Sequence, residues 1–274
     1  MSENQRVAGS SPSSLLRRVR SRLYRSVLRG PPPRRDFLYE AATRRGVTRT
    51  PVSFSDLRTA AYCPRKCYYQ RRLPDEDREP PPEVESIRAL ATRYDDLLES
   101  PLGALEEEPI AVPATRYRDR LGATRERLAD AGHWDRLCTP VDRAVFATGR
   151  HCRGVVHKVL ADPLEPTLIS SGRPPEHGVW EPQSVHAVAA AKALAWEHQE
   201  TVDRAWLEYP AYGVIRSFEL TTRRTARYRS ALRAVRELDG PPARTTNRSK
   251  CESCEFVAEC GVKMRTLRSL LGIE

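Results

Sequence analysis

The 274-residue chain has no run of eighteen or more uncharged apolar residues, the length that a bilayer-spanning helix requires. The best candidate, AVAAAKALAW, is short and interrupted by Lys192, so no membrane span is expected. The N-terminus has no apolar segment followed by a cleavage site, which speaks against secretion and leaves a cytoplasmic protein as the expectation. Disulfides are rare in that compartment, so the seven cysteines are expected to be metal ligands or free thiols. No internal repeat is present. Apolar residues make up 39%, enough to build a core.

Acidic residues are scarce in the first fifty positions. Twelve arginines there face only Glu3, Asp36 and Glu40, which leaves +9 of the formal +10, and the rest of the chain is close to neutral. Residues 1–50 therefore read as a basic, flexible extension and residues 51–274 as the folded domain. SENQRVAGSSPSS is too polar to pack. In LLRRVRSRLYRSVLRG, Leu15, Val19, Leu23 and Val27 recur every four residues with Arg between them, a basic amphipathic helix that Gly30 and Pro31–Pro33 would end. Such a helix suits DNA phosphates, a membrane surface, or simply solvent.

Beyond Thr50 the hydrophobic periods alternate between helix and strand. Ser55 is a potential cap for a short helix, with Asp56 in its first turn. After the charged, proline-rich PDEDREPPPEVES loop, Val84, Ile87, Leu90, Ala91, Tyr94, Leu97 and Leu98 fall at helical spacing and predict one helix over 83–99. Residues 116–148 read as one or two more helices. CRGVVHKVLAD and PTLISSG read as strands, EPQSVHAVAAAKALAWEHQ as an alanine-rich helix, and VDRAWLEYP and YGVIRSFELT as strands. TTRRTARYRSALRAVRELDG reads as a helix with an uncapped Arg-rich face that Gly240 stops. This order predicts an α/β domain, a mixed sheet flanked by helices.

Near the C-terminal end, Cys251, Cys254 and Cys260 stand at C-x2-C-x5-C spacing in KCESCEFVAEC. Three thiolates need at least one more ligand to complete a tetrahedral zinc or an iron–sulfur site. Cys63 and Cys67 of YCPRKCYYQ are the available donors, while Cys138 and Cys152 read as small buried hydrophobes. Zinc favours paired C-x2-C motifs, and only one such pair is present. A 4Fe–4S cluster accepts one remote thiolate and suits the spacing better; unligated thiols are the remaining alternative.

FSDLRTAAYCPRKCYY followed at a distance by CESCEFVAEC resembles the iron–sulfur RecB-like PD-(D/E)xK nucleases. These include the CRISPR-associated adaptation exonucleases and the nuclease domains of AddB-type and Dna-two-type helicases. The resemblance spans about residues 52–272 and implies a restriction-endonuclease-like fold whose ends are tied by a 4Fe–4S cluster on Cys63, Cys251, Cys254 and Cys260, with Cys67 as the alternative remote ligand. It also implies Mg²⁺- or Mn²⁺-dependent cleavage of DNA, in which a carboxylate pair holds the metal and a lysine orients water.

The catalytic positions that the resemblance assigns are changed. His157 occupies the Asp position of GVVHKVL. Leu168 or Ile169 stands for the Glu, Ser170 or Ser171 for the Lys, and His186 for the helix Gln. The helix over 83–99 has Tyr94 where the family has His. Losing both carboxylates removes the hard ligands Mg²⁺ requires, and histidine is a poor replacement. Asp162, Glu165 and Glu181, with Lys158 or Lys192, are the groups from which a displaced active site would have to be built.

The expectation is a nuclease-like protein that binds DNA ends or single strands without cutting, or serves a repair or CRISPR-type complex as a partner subunit. An active single-strand exonuclease and a zinc-stapled structural or regulatory module are the alternatives. Arg71, Arg72, Arg223, Arg224, Arg227 and Arg229 are the candidate DNA phosphate contacts, unless they form a solvated helix face. Trp180 is a candidate for base stacking.

Overall fold

A computed structural model describes residues 49–74 and 80–261. The basic helix expected before Arg49, part of the proline-rich loop, and the chain beyond Gly261 lie outside the described residues. All but the first two described residues belong to one compact unit, Pro51–Glu274.

The elements in chain order are β1 (Val52–Ser53), α1 (Phe54–Tyr62), α2 (Pro64–Gln70), α3 (Pro82–Leu90), α4 (Tyr94–Glu99), α5 (Leu102–Glu106), α6 (Ala114–Asp130), α7 (Trp134–Cys138), β2 (Asp142–Thr148), β3 (Cys152–Leu160), β4 (Glu165–Ile169), α8 (Glu181–His198), β5 (Arg204–Tyr209), β6 (Val214–Glu219), α9 (Thr222–Arg236) and the single turn α10 (Ser249–Glu252). The sheet is mixed. β2, β3 and β4 form an antiparallel run, β5 lies parallel to β4, and β6 returns antiparallel to β5. Helices cover both faces: α1, α8 and α9 pack on one side and α3 to α7 on the other, each with its own buried cluster. The expected α/β class and mixed sheet flanked by helices are observed.

Several local readings change. The cap of α1 is Ser53, whose Oγ accepts from the Asp56 N–H at 3.0 Å; Ser55 bonds Ser53 instead. The helix expected over 83–99 is two helices, because the chain leaves helical geometry at Arg93 (φ −141°). Residues 142–148, read as helix, form β2, where pairing to β3 outweighs the weak local preference. α9 is capped by Thr221, whose Oγ1 accepts from the Arg224 N–H, and it ends at Arg236, before Gly240.

Lys158 accounts for the break after α3. Its side chain is fully buried, and its ammonium donates to Ala91 O (2.8 Å), Leu137 O (3.0 Å) and Glu208 Oε2 (2.8 Å). The two carbonyls are at the C-terminal ends of α3 and α7, where the helix dipole favours a cation. Tyr94 OH donates to the same Glu208 oxygen at 2.8 Å. Burying a charge is costly unless it is paired and hydrogen-bonded, and this ammonium has a partner for every proton.

β1 and β4 both pair along the edge of β3 that β2 does not occupy. β1 meets Cys152–Arg153 and β4 meets Lys158–Leu160, so among the described residues Gly154–His157 have no strand partner on that side and the sheet opens there. Gly154 lies so close to α1 that a Cβ would approach Phe54 Cδ2 to 2.6 Å; the missing side chain seats α1 against this opening.

Glu208→Ala, which strands the Lys158 charge, is expected to cost about 3–5 kcal/mol of stability in urea unfolding. The double change Lys158→Met with Glu208→Leu should recover most of that loss.

Candidate functional site

Cys63 sits at a forced corner. Pro64 disfavours helical backbone in the residue before it, and Cys63 is extended (φ −159°, ψ 112°), ending α1 while Pro64 opens α2. Proline suits that first helical position because its missing N–H would go unpaired there anyway. Cys67, one turn further on, points into the core: it is fully buried, with its thiol 3.5 Å from Asp56 O. The kink thus separates two cysteines only four residues apart. Cys63 faces a hollow and Cys67 packs among apolar side chains.

Three tight turns shape the opposite wall of that hollow. Cys254 N–H bonds Cys251 O, Val257 N–H bonds Cys254 O and Cys260 N–H bonds Phe256 O. Cys63, Cys251, Cys254 and Cys260 all line the hollow, with Phe256 and Val257 as its apolar wall. Burial, and then Cys260, Cys63 and Cys254, push the Cys251 thiol up from its ordinary value; crowded thiols resist becoming thiolates together unless positive charge joins them. Among the described residues, no three His, Cys, Asp or Glu side chains stand close enough to hold one ion in common.

Protein contacts alone already dock the two segments. Tyr62 OH donates to Lys250 O (3.1 Å) while Lys250 Nζ donates to Tyr62 O (2.7 Å). Tyr69 OH bonds Glu259 O and its ring stacks on Phe256 at 5.9 Å. Lys66 pairs with Glu255 at 2.8 Å. Arg65 donates through Nε to Cys260 Sγ (3.1 Å) and through Nη1 to Pro242 O (2.7 Å). Arg65, Lys66 and Lys250 thus place positive charge along the same hollow as the four cysteines.

A second constellation lies where the sheet opens. The Ile169 N–H donates to His157 Nδ1 at 3.1 Å, so His157, at the Asp position the resemblance assigns, lies beside the Leu168–Ile169 pair that spans its Glu position, and none of the three is a carboxylate. His186 of α8 lies beside Phe54, ring centroids 5.9 Å apart. Burial, then Arg88, Arg58 and Lys158, pushes His157 down to about 4. Burial, then Arg58, His157 and Arg88, pushes His186 well below its ordinary value. Arg58 of α1 and Arg88 of α3 are thus part of this cleft; neither stood out in the sequence, because single arginines on separate helices carry no motif. Ser170 accepts from Gln183 Nε2 (2.7 Å), and Gln183 in turn accepts from Tyr209 OH.

Of the groups considered for a displaced active site, Lys158, Glu165 and Glu181 are engaged elsewhere, while Asp162 and Lys192 are exposed. Lys158 is sealed in the opposite helical layer and Tyr94 serves Glu208 there. Glu165 is buried, accepting from Trp206 Nε1 at 2.8 Å with Arg136 at 3.3 Å. Asp162 is in an exposed turn, Lys192 is exposed on α8, and Glu181 pairs with Arg227 at 3.3 Å at the start of α8. Of the candidate DNA contacts, Arg71 pairs with Asp56 and Val235 O, and Arg224 bonds Ser184 and covers the Phe218 ring. Arg72 lies over Tyr68, and Arg223 and Arg229 are exposed. Trp180 is exposed, its indole N–H on Arg173 O. Cys152 is buried and Cys138 partly buried, with burial raising both thiols. Among the described residues no helix is long and apolar enough to cross a membrane.

In comparisons with known proteins, no protein-family model and no curated protein matches this chain.

The two neighbouring cysteines should respond differently in metal-free protein. Cys67→Ser is expected to lower the unfolding free energy by about 1–3 kcal/mol through burial of a hydroxyl. Cys63→Ser should change it by less than about 0.5 kcal/mol; denaturant titration compares them.

Proposed function

We propose that this chain is a 4Fe–4S protein of RecB-like, PD-(D/E)xK nuclease ancestry that binds DNA ends or single strands without cutting them. It would serve as a non-hydrolytic subunit in DNA repair or CRISPR-type processing. The observation that carries the reading is the meeting of Cys63 with Cys251, Cys254 and Cys260 around one hollow. These are the four residues the resemblance assigns to the cluster, and the alternative donor Cys67 is turned into the core.

The donor set fits the cluster. Four thiols, an apolar wall and flanking Arg65, Lys66 and Lys250 suit a group held by thiolates and tuned by nearby charge and hydrogen bonds. When bound, the cluster would cross-link the start and end of the domain. Zinc would draw all four sulfurs to about 2.3 Å from one centre, whereas a cubane gives each thiolate its own iron and spreads them. The loss of hydrolysis rests on the cleft, where His157, Leu168 or Ile169, and Ser170 or Ser171 stand at the metal-binding and lysine positions the resemblance assigns.

Anaerobically purified protein should contain about four irons and four acid-labile sulfides per chain and no stoichiometric zinc. Cys63→Ser should lower iron content and Cys67→Ser should not; the reverse result would reassign the ligand. The loaded protein should shift the fluorescence anisotropy of single-stranded DNA in a salt-dependent way and degrade none of it with Mg²⁺ or Mn²⁺. Degradation would establish the active-exonuclease alternative. One tight zinc with no sulfide would establish the structural module.

A further inference from the structure

The cleft at the opening of the sheet collects positive charge where a nuclease would hold negative charge. Arg58, Arg88, His157 and His186 come from α1, α3, β3 and α8, and each lies within electrostatic reach of at least one other. Among the described residues no carboxylate takes part in the electrostatics of Arg58, His157 or His186. Arg58 is exposed on α1, one turn after Phe54, and its guanidinium makes no hydrogen bond or ion pair with a described residue. Arg88 holds Glu85 through Nη1, yet its buried Nε has no acceptor. A buried donor such as this Nε is unfavourable until an acceptor arrives.

The histidines are set up as donors too. His157 Nδ1 accepts from the Ile169 N–H, so in the neutral ring the proton is on Nε2, which has no partner among the described residues. A protonated Nδ1 would point its hydrogen at that N–H, a structural reason for the ring to stay neutral. His186 makes no hydrogen bond among the described residues; its one described partner is the Phe54 ring.

We propose that Arg58, Arg88, His157 and His186 form an anion site for a phosphate group, either a terminal phosphate monoester or a backbone phosphodiester. Two guanidiniums supply charge and directed N–H donors, the combination that recognises phosphate most strongly, and the imidazoles add neutral donors. The arginines take over the charge-neutralising part a metal ion plays in a cutting site, so phosphate is held without an activated water. The site stands on the unpaired donors of Arg88 and the two histidines at the opening of the sheet; its assignment to DNA rests on the nuclease-ancestry reading.

The test is calorimetric titration of the full chain with inorganic phosphate, with and without a loaded cluster. One phosphate per chain is expected, weakened about tenfold or more by Arg58→Gln and by Arg88→Gln. Arg116→Ala, on the exposed start of α6, should leave it unchanged. Circular dichroism confirms that each variant is folded, and His157→Asn, which loses the Nε2–H donor, gives a further reading. Competition by 5′-phosphorylated and 5′-hydroxyl oligonucleotides separates the sources: preference for the former supports a terminal monoester, and equal competition supports the backbone. No phosphate binding, or binding unchanged in both arginine variants, overturns the site whatever the iron assay gives. Failure to load iron while phosphate binds overturns the cluster reading and leaves the anion site standing.

Discussion

A single buried ammonium organises the half of this domain that the cysteines do not reach. Lys158 Nζ takes the last carbonyls of two helices and a carboxylate from a third element, so α3, α7 and β5 are fixed relative to β3 by one charge. Each partner would be a liability alone: two helix ends with unused acceptors, and a glutamate with no access to water. Together they settle, and Tyr94 follows because the helix break after Leu90 brings its hydroxyl to Glu208.

Lys158 and its neighbour His157 show how one strand divides its chemistry between two faces. Successive side chains on a strand point to opposite sides. Lys158 enters the sealed layer, where its charge meets the Glu208 carboxylate. His157 enters the cleft beside Arg58, Arg88 and His186, where charges of one sign gather. The sheet opening between β1 and β4 makes the second environment reachable from solvent.

Much of this was legible in the sequence, for identifiable reasons. β3, β4, β5 and β6 announce themselves through β-branched alternation, and α8 through its alanines. The cysteine spacing near the C-terminal end and the Cys-Pro pair near the start of the domain point to the hollow directly. β2 was not legible, because DRAVFAT owes its conformation to a partner strand. The break at Arg93 was hidden because Leu90, Ala91 and Tyr94 keep helical spacing while the acceptor that matters, Ala91 O, is bound by a residue 67 positions away. The cleft was half legible: His157 and Ile169 lie on strands whose pattern could be read, but Arg58 and Arg88 come from helices whose meeting is a product of the fold.

The corner at Cys63 also has a bearing on the order of events in synthesis. Chains emerge N-terminal end first and domains begin to fold as they do. Cys63 is among the earliest residues of the folded unit to appear, and its three companions are 188 or more positions later. Until they arrive it is a lone, partly exposed thiol at a helix corner, next to the lysine and arginine that will later face the other three. Strands β2 to β6 all lie between, so the hollow is completed by the last part of the folded unit to be made.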